Sequence, residues 1–101
     1  MKLTYPACFY KDDETGAYAV EVPDLPGCAT GGDTLEDAVL MAVDAASGWI
    51  LDELEDGHPI PEASQIETIC PEHGGFVSMI VLDIGAYAEA EKYFNRSLIR
   101  S

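Results

Sequence analysis

The sequence predicts a small α+β domain in which three antiparallel strands precede a long helix and a fourth strand follows it, in the order β-β-β-α-β-α. Three observations predict this class. Short segments of apolar and aromatic residues fill the first third of the chain, a long stretch with helical periodicity occupies the middle, and a second apolar run comes after it. A chain of 101 residues has room for one hydrophobic core.

The first two strands are predicted to form a hairpin. Apolar and aromatic residues fill positions 3–11 and again 17–22, and the polar loop between them ends in Gly16. Glycine accepts the positive φ that closes such a loop, so we expect the two strands to be antiparallel neighbours. A short third strand over residues 28–31 follows the proline-rich turn 23–27, and its length suits the edge of a sheet.

A long amphipathic helix is predicted to begin at Asp33 or Thr34. Both are good N-cap residues, and Glu36 stands three positions after Asp33, as in a capping box. Apolar residues then recur at steps of three and four and form one stripe. These residues are Leu35, Ala38, Val39, Ala42, Ala46, Trp49, Ile50 and Leu54. The helix should end near Gly57, which can adopt the left-handed C-cap conformation.

The fourth strand is predicted over residues 76–84, which are apolar at odd and even positions alike. This pattern is typical of an interior strand that is covered on both faces. Because one helix covers only one face of a sheet, we expect a second subunit to cover the other, helped by a short helix at residues 86–94. If the third and fourth strands are parallel, the long link between them should be a right-handed crossover.

The distribution of charge argues against direct binding of nucleic acid. The net charge is -14, and residues 1–91 contain all 19 acidic residues but only two of the five basic ones. Such a body repels phosphate and cannot supply the cationic contacts that dominate affinity for DNA or RNA. A basic partner is its natural complement. The alternative is that the acidity only keeps a small protein soluble.

The cysteines and the N-terminus indicate a reducing, cytoplasmic environment. Cys8, Cys28 and Cys70 are odd in number and form no CxxC pair, and no apolar secretory segment precedes them. No apolar run approaches the roughly 20 residues that a membrane-spanning helix needs. We therefore expect a protein that does not enter a membrane.

The residues offer no catalytic constellation. A metal-dependent nuclease needs converging carboxylates, whereas the predicted first strand contains none and Glu21 and Asp83 lack a third partner. Cys70 and His73 could supply half of a zinc site, but the only further donors are His58 and two distant cysteines. No phosphate-binding or nucleophile motif occurs. We therefore expect no enzymatic activity, no metal and no cofactor.

Seven acidic residues are the candidates for binding a partner. Four of them follow one another at steps of seven, eight and three, which places them on one side of the predicted helix. These four are Asp37, Asp44, Asp52 and Glu55, and the other three, Asp12, Asp13 and Glu14, form the hairpin loop. Both patches would attract a basic surface and select against acidic partners. The alternative is an ordinary solvated helix face and a solvated turn.

Several motifs occur together in this chain. Residues 22–28 read VPDLPGC and residues 32–38 read GDTLEDA, accompanied by the segments 5–7, 16–18 and 57–61. On these residues the chain resembles the HicB antitoxin family over residues 3–90. The resemblance implies a partial ribonuclease-H-like fold without the nuclease carboxylates, which agrees with a first strand that contains no acid.

The resemblance also implies a function. Members of the family bind a small HicA-type toxin, an RNA-cleaving protein, and block its catalytic surface. They form homo-oligomers and repress their own operon through a C-terminal DNA-binding domain. We expect residues 1–91 to form the HicB-like domain and residues 92–101 to be a basic tail, a possible remnant or start of a missing DNA-binding domain.

The expected protein is thus an antitoxin that occludes a basic HicA-type toxin. It should form a dimer or tetramer and should not contact nucleic acid itself. The alternative is an orphan oligomeric interaction module that has no toxin and no catalytic activity.

Overall fold

The computed structural model describes residues 1–72 and 74–91, and it confirms the predicted α+β class. The elements are β1 (Lys2–Lys11), β2 (Tyr18–Glu21), β3 (Ala29–Gly32), α1 (Leu35–Glu55), a 3-10 turn (Ile66–Thr68) and β4 (Phe76–Asp83). Residues 84–91 are helical and are called α2. The rest of the helix expected at residues 86–94 and the basic tail, residues 92–101, lie outside the described residues.

The four strands form one antiparallel sheet in the order β3-β2-β1-β4. The hairpin of β1 and β2 and the edge position of β3 are confirmed. The interpretation of β4 as an interior strand was wrong, because β4 pairs only with β1 and forms the second edge of the sheet. Since β4 runs antiparallel to β1 and does not pair with β3, the link between β3 and β4 is not a parallel crossover.

Local hydrogen bonds define both ends of α1. At its start, the Thr34 hydroxyl accepts a hydrogen bond of 3.1 Å from the backbone N–H of Asp37. At its end, the N–H of Gly57 donates to the carbonyl of Leu54 (3.1 Å), and the N–H of His58 donates to the carbonyl of Glu53 (2.9 Å). Gly57 has a φ of +75°, so the helix ends in a Schellman motif at the glycine that the sequence predicted.

The core lies between α1 and one face of the sheet. Tyr5, Ala7 and Phe9 of β1 point toward α1, and Phe9 stacks on Phe76 of β4 with ring centroids 5.3 Å apart. The buried side of α1 is built mainly from alanines, which allow the helix axis to approach the sheet closely. These buried helix residues are Ala38, Ala42, Ala46, Ser47 and Ile50.

The connector between α1 and β4 covers part of the other face. Pro6 and Cys8 point to this face by strand alternation, and both are fully buried. The 3-10 turn of the connector contacts β4, and the backbone N–H of Glu72 donates to the Tyr10 hydroxyl at 3.3 Å. The connector therefore supplies some of the cover that we expected from a second subunit, and this is why apolar residues on both faces of β4 do not require an interior position.

A polar tether holds the beginning of this connector. The backbone N–H and the hydroxyl of Ser64 both donate to the carboxylate of Asp24, at 2.8 and 2.6 Å. The Tyr5 hydroxyl donates to the carbonyl of Pro61. These bonds connect residues that lie 40 and 56 positions apart in the chain, and they direct the connector back across the sheet.

Candidate acidic interaction surface

The candidate site is the outward side of α1 together with the neighbouring edge strand β3. All four helix acids, Asp37, Asp44, Asp52 and Glu55, are exposed on the side of α1 that faces away from the sheet. Over this length the helix rises about 1.5 Å per residue, so the first and last of these carboxylates lie roughly 27 Å apart along the axis. The acids therefore form an elongated stripe and do not converge on one point.

A shallow groove of about 430 Å³ lies at the N-terminal half of this stripe. Apolar side chains form its centre, because Leu40 is 68% exposed and Met41 is 44% exposed. Asp33 and Asp37 line the groove beside them. A solvent-exposed leucine and methionine with carboxylates next to them have the layout of a protein interface, in which an apolar centre lies within a polar rim.

Gly32 brings the start of α1 against β3 and so shapes this groove. A Cβ atom at Gly32 would lie 2.5 Å from the backbone nitrogen of Ala38 and 2.7 Å from the Cβ of Asp37. No other residue fits there without pushing the helix away from the strand. The glycine thus fixes the position of the Asp37 carboxylate relative to the sheet edge.

A second groove, about 350 Å³ in volume, lies at the C-terminal half of the stripe. Asp44 and Asp52 of α1 line it together with Tyr87 of α2. Gly48 makes the close approach possible, since a Cβ atom at that position would lie 3.0 Å from the Tyr87 hydroxyl oxygen. The middle of the acidic stripe is therefore occupied by a phenol that α2 contributes.

The Tyr87 hydroxyl remains protonated in this environment. Burial raises the pKa of Tyr87 to about 12, and the nearby negative charges of Asp44, Glu91 and Asp52 act in the same direction. The phenol is therefore a neutral hydrogen-bond donor at physiological pH. It can hold α2 beside the carboxylates of α1 without adding to their charge.

The three acids of the hairpin loop lie at the same end of the sheet as the N-terminal groove. Lys11 pairs with Tyr18, and Tyr18 pairs with Gly32, so the loop is about two strand spacings, roughly 10 Å, from the start of α1. Asp12, Asp13 and Glu14 are exposed, and Asp12 accepts a hydrogen bond of 2.9 Å from the N–H of Glu14. The structure thus associates the loop with Asp37 and separates it from Asp52 and Glu55.

The acidic stripe has no cationic partner within residues 1–72 and 74–91. The lysines in that part of the chain, Lys2 and Lys11, lie at the two ends of β1. The ion pair found there joins His58 to Glu53 at 3.0 Å, and Glu53 is not a member of the stripe. Among these described residues the surface is negatively charged, a charge that would attract a positively charged protein.

Of the three cysteines, Cys28 lines the C-terminal groove of this surface. Cys8 and Cys28 are buried, burial raises the pKa of both thiols, and Cys70 is exposed. In the described part of the chain, no three His, Cys, Asp or Glu side chains are grouped so as to hold a metal ion. His73, the other half of the considered zinc pair, lies outside that part. No helix among the described residues is long and apolar enough to cross a membrane.

The sequence reasoning missed the apolar part of the surface. Leu40 and Met41 do not belong to the apolar stripe of the helix that was predicted to face the core. Apolar residues outside that stripe are expected to be exposed, so the sequence did contain a signal for these two side chains. It also missed Tyr87, because no sequence pattern shows that α2 returns to Gly48. Trp49 was expected in the core; it is partly buried there, and its indole N–H donates to the Pro26 carbonyl at 2.9 Å.

Comparison with known proteins places this chain in a family. The family model described as "HicB_like antitoxin of bacterial toxin-antitoxin system" matches residues 5–101. A 14.9 kDa protein from the rep-hol intergenic region of Haemophilus phage HP1 (strain HP1c1) is 40% identical over 81 residues, which are 78% of this chain and 59% of that protein. Antitoxin HicB 2 of Photorhabdus laumondii is 45% identical over 62 residues, which are 61% of this chain and 43% of that protein.

The fold of this chain is also similar to that of a solved structure. A chain of the toxin-antitoxin complex from Streptococcus pneumoniae superposes with a TM-score of 0.77 at 28% identity, covering 86% of this chain and 73% of that chain. The alignments span less than two thirds of the length of both curated relatives. Because the family model covers nearly the whole sequence, the chain belongs to the HicB-like antitoxins of bacterial toxin-antitoxin systems.

Proposed function

We propose that this chain is an antitoxin that binds a small basic HicA-type ribonuclease and inhibits it by covering its catalytic surface. The observation that carries the proposal is the family match over residues 5–101. The fold similarity to a chain of a toxin-antitoxin complex supports it. Inhibition of this kind needs no turnover, only a surface that fits the enzyme and excludes its RNA.

We propose the outward side of α1 as the surface that the toxin contacts. Leu40 and Met41 would form the apolar centre of the contact, where a few well-packed side chains supply most of the binding energy. Asp37, Asp44, Asp52 and Glu55 would contribute the long-range attraction that speeds association with a basic protein. The hairpin acids Asp12, Asp13 and Glu14 would add to this negative charge at the N-terminal end of α1.

The antitoxin role is tested with a purified small basic HicA-type ribonuclease. Cleavage of RNA by that protein should stop when one equivalent of the chain is added, and the two proteins should elute together in gel filtration. Undiminished cleavage without a complex would contradict the antitoxin role.

The proposed surface is tested with charge-changing variants at matched exposed positions. Leu40→Lys places a cation in the apolar centre and should weaken toxin binding by about 10- to 100-fold, the effect of losing one hot-spot contact. Glu62→Lys changes an exposed acid of the connector and should bind as the wild type does. If Leu40→Lys also binds normally, the antitoxin role stands and the toxin contacts another surface.

A further inference from the structure

The acidic side of α1 has a candidate occupant within the chain itself. The sequence continues past the last described residue, Glu91, with KYFNRSLIRS. This basic segment, residues 92–101, contains three of the five basic residues of the chain and no acidic one, whereas residues 1–91 contain all 19 acids. Two adjoining parts of one molecule thus carry opposite charges, and the segment has the charge that the surface of α1 would attract.

The described part of α2 delivers this segment to the acidic surface. α2 follows β4 at one edge of the sheet, but Tyr87 lines the C-terminal groove together with Ala29 of β3, the strand at the other edge. Glu91 lies near the Tyr87 hydroxyl and helps to raise the pKa of that group. The chain therefore leaves the described structure beside the carboxylates of Asp44 and Asp52.

The basic segment is long enough to cover the rest of the surface. Leu40 and Met41 of the N-terminal groove stand eight and seven positions before Gly48, the residue of α1 that faces Tyr87. This separation is roughly 11 Å along the helix axis. Ten residues span roughly 15 Å as a helix and roughly 33 Å when fully extended. The segment can therefore reach the N-terminal groove from the end of α2 at either extreme.

The composition of the segment matches both parts of the surface. Its arginines offer guanidinium groups to the exposed carboxylates, and its four apolar or aromatic residues offer cover for the exposed Leu40 and Met41. Ion pairs at such an exposed surface are weak between separate molecules. A segment of the same chain acts at an effective concentration of about 1 mM, so weak contacts suffice for it to bind.

We propose that residues 92–101 bind across the acidic side of α1 in their own chain, and that a basic toxin must displace them to bind there. The docking depends only on the charges and grooves described above, whereas the competition rests on the proposed toxin-binding function. The segment would cover Leu40 and Met41 while no toxin is bound. It would also lower the apparent affinity for toxin according to the fraction of chains in which the surface is open.

A spin label on the basic segment tests the docking without any toxin. The probe is a nitroxide attached at position 97 of the full chain carrying Cys70→Ser and Ser97→Cys, since the two remaining cysteines are buried. It should broaden the amide NMR signals of residues 37–41 of α1. The signals of the 3-10 turn, residues 66–68, should broaden much less, because the turn lies on the other face of the sheet. Equal broadening of the two regions, or none, would overturn the proposal.

Matched charge reversals show whether this broadening depends on the segment's charge. Arg96→Glu with Arg100→Glu should remove it. Lys2→Glu with Lys11→Glu, the same change in net charge at the two ends of β1, should preserve it. A mixture of isotope-labelled chain without nitroxide and spin-labelled chain without isotope should show no broadening. Broadening that survives reversal of the arginines, or that appears in the mixture, would contradict docking within one chain.

Toxin affinity tests the competition. Arg96→Glu with Arg100→Glu should raise the affinity for a purified small basic HicA-type ribonuclease about tenfold more than Lys2→Glu with Lys11→Glu does. This is the gain expected when the segment covers about nine-tenths of the surfaces. Equal gains in the two variants would overturn the competition. If no variant binds the ribonuclease, the antitoxin role fails, and the spin-label result still decides the docking.

Discussion

At the scale of single residues, Gly48 and Tyr87 decide how closely α2 approaches α1. Glycine inside a helix costs about 1 kcal/mol relative to alanine. At Gly48 this cost is offset by the space that the Tyr87 hydroxyl occupies, since a Cβ atom would lie only 3.0 Å from that oxygen. The two residues therefore act as a pair, although 39 positions separate them in the chain.

We expect this pairing to appear as non-additive stability. Gly48→Ala in a Tyr87→Phe chain should stabilise the fold by about 1 kcal/mol, because the nearest remaining ring atom lies at ordinary contact distance, 3.7 Å. In the wild-type chain the same substitution should gain less, since the hydroxyl must move. Urea unfolding of the four chains measures both increments, and equal gains in the two backgrounds would contradict the contact.

The raised pKa of Tyr87 predicts a loss of stability at high pH. The folded state holds the phenol proton up to a pKa of about 12, whereas the unfolded chain releases it near the ordinary value of 10.0. Between these values the unfolded state binds fewer protons, so the contribution of Tyr87 is complete below pH 10 and is lost as the pH rises toward 12.

Thermal denaturation at a series of pH values measures this effect. The wild type should lose more stability than Tyr87→Phe between pH 10 and pH 12, and the two chains should change in parallel below pH 10. The other tyrosines are common to both chains and cancel in the comparison. Parallel curves over the whole range would show that Tyr87 titrates normally.

At the scale of elements, the connector between α1 and β4 depends on its tether to Asp24. Asp24→Ala removes both acceptors of the Ser64 hydrogen bonds and leaves a partly buried N–H without its partner. Bonds to an ionised acceptor are worth about 1.5–3 kcal/mol, so we expect a loss of that size in the free energy of unfolding. Asp13→Ala, in the exposed hairpin loop, serves as the control and should change stability by less than about 0.5 kcal/mol.

Hydrogen exchange distinguishes this tether from a general loss of stability. In Asp24→Ala the amide of Ser64 should exchange faster, while the amides of the β1–β2 hairpin change only as much as global unfolding requires. Unchanged exchange at Ser64, or a loss no larger than that of Asp13→Ala, would mean that the connector is held by its apolar contacts alone.

The elements themselves were predictable because their signals are local. Thr34 caps α1 and Gly57 ends it through bonds within one or two turns, and the hairpin needs only alternation and Gly16. The place of β4 at the edge was not predictable. A strand that is apolar on both faces has the same sequence pattern whether a neighbouring strand, a connector or another molecule covers it.

Only part of the candidate surface was predictable from the sequence. Helical periodicity placed Asp37 and Asp44 on one side of α1, and the structure agrees. Periodicity could not show that Tyr87 lies between Asp44 and Asp52, because that contact depends on the direction in which the chain leaves β4. Long-range contacts of this kind leave no mark in the spacing of residues.

At the scale of the whole molecule, the acidic surface draws on both edges of the sheet. The acidic side of α1 adjoins β3, whereas β4 forms the other edge of the same sheet. The helix α2 follows β4 and contributes Tyr87 to the groove beside Asp44 and Asp52.

The uneven charge predicts opposite responses of stability and binding to salt. With all 19 acidic residues and only two basic ones in residues 1–91, the folded chain repels itself, and added salt screens that repulsion. Raising NaCl from about 0.05 M to about 0.5 M should therefore raise the Tm of the isolated chain by several degrees. The same change should weaken the complex with a basic toxin by about tenfold or more, mainly through slower association. Calorimetry and binding kinetics measure the two effects, and KCl at equal ionic strength should reproduce both. A Tm that falls with salt would contradict the predicted self-repulsion of the folded chain, and a toxin affinity that salt leaves unchanged would contradict recognition through surface charge.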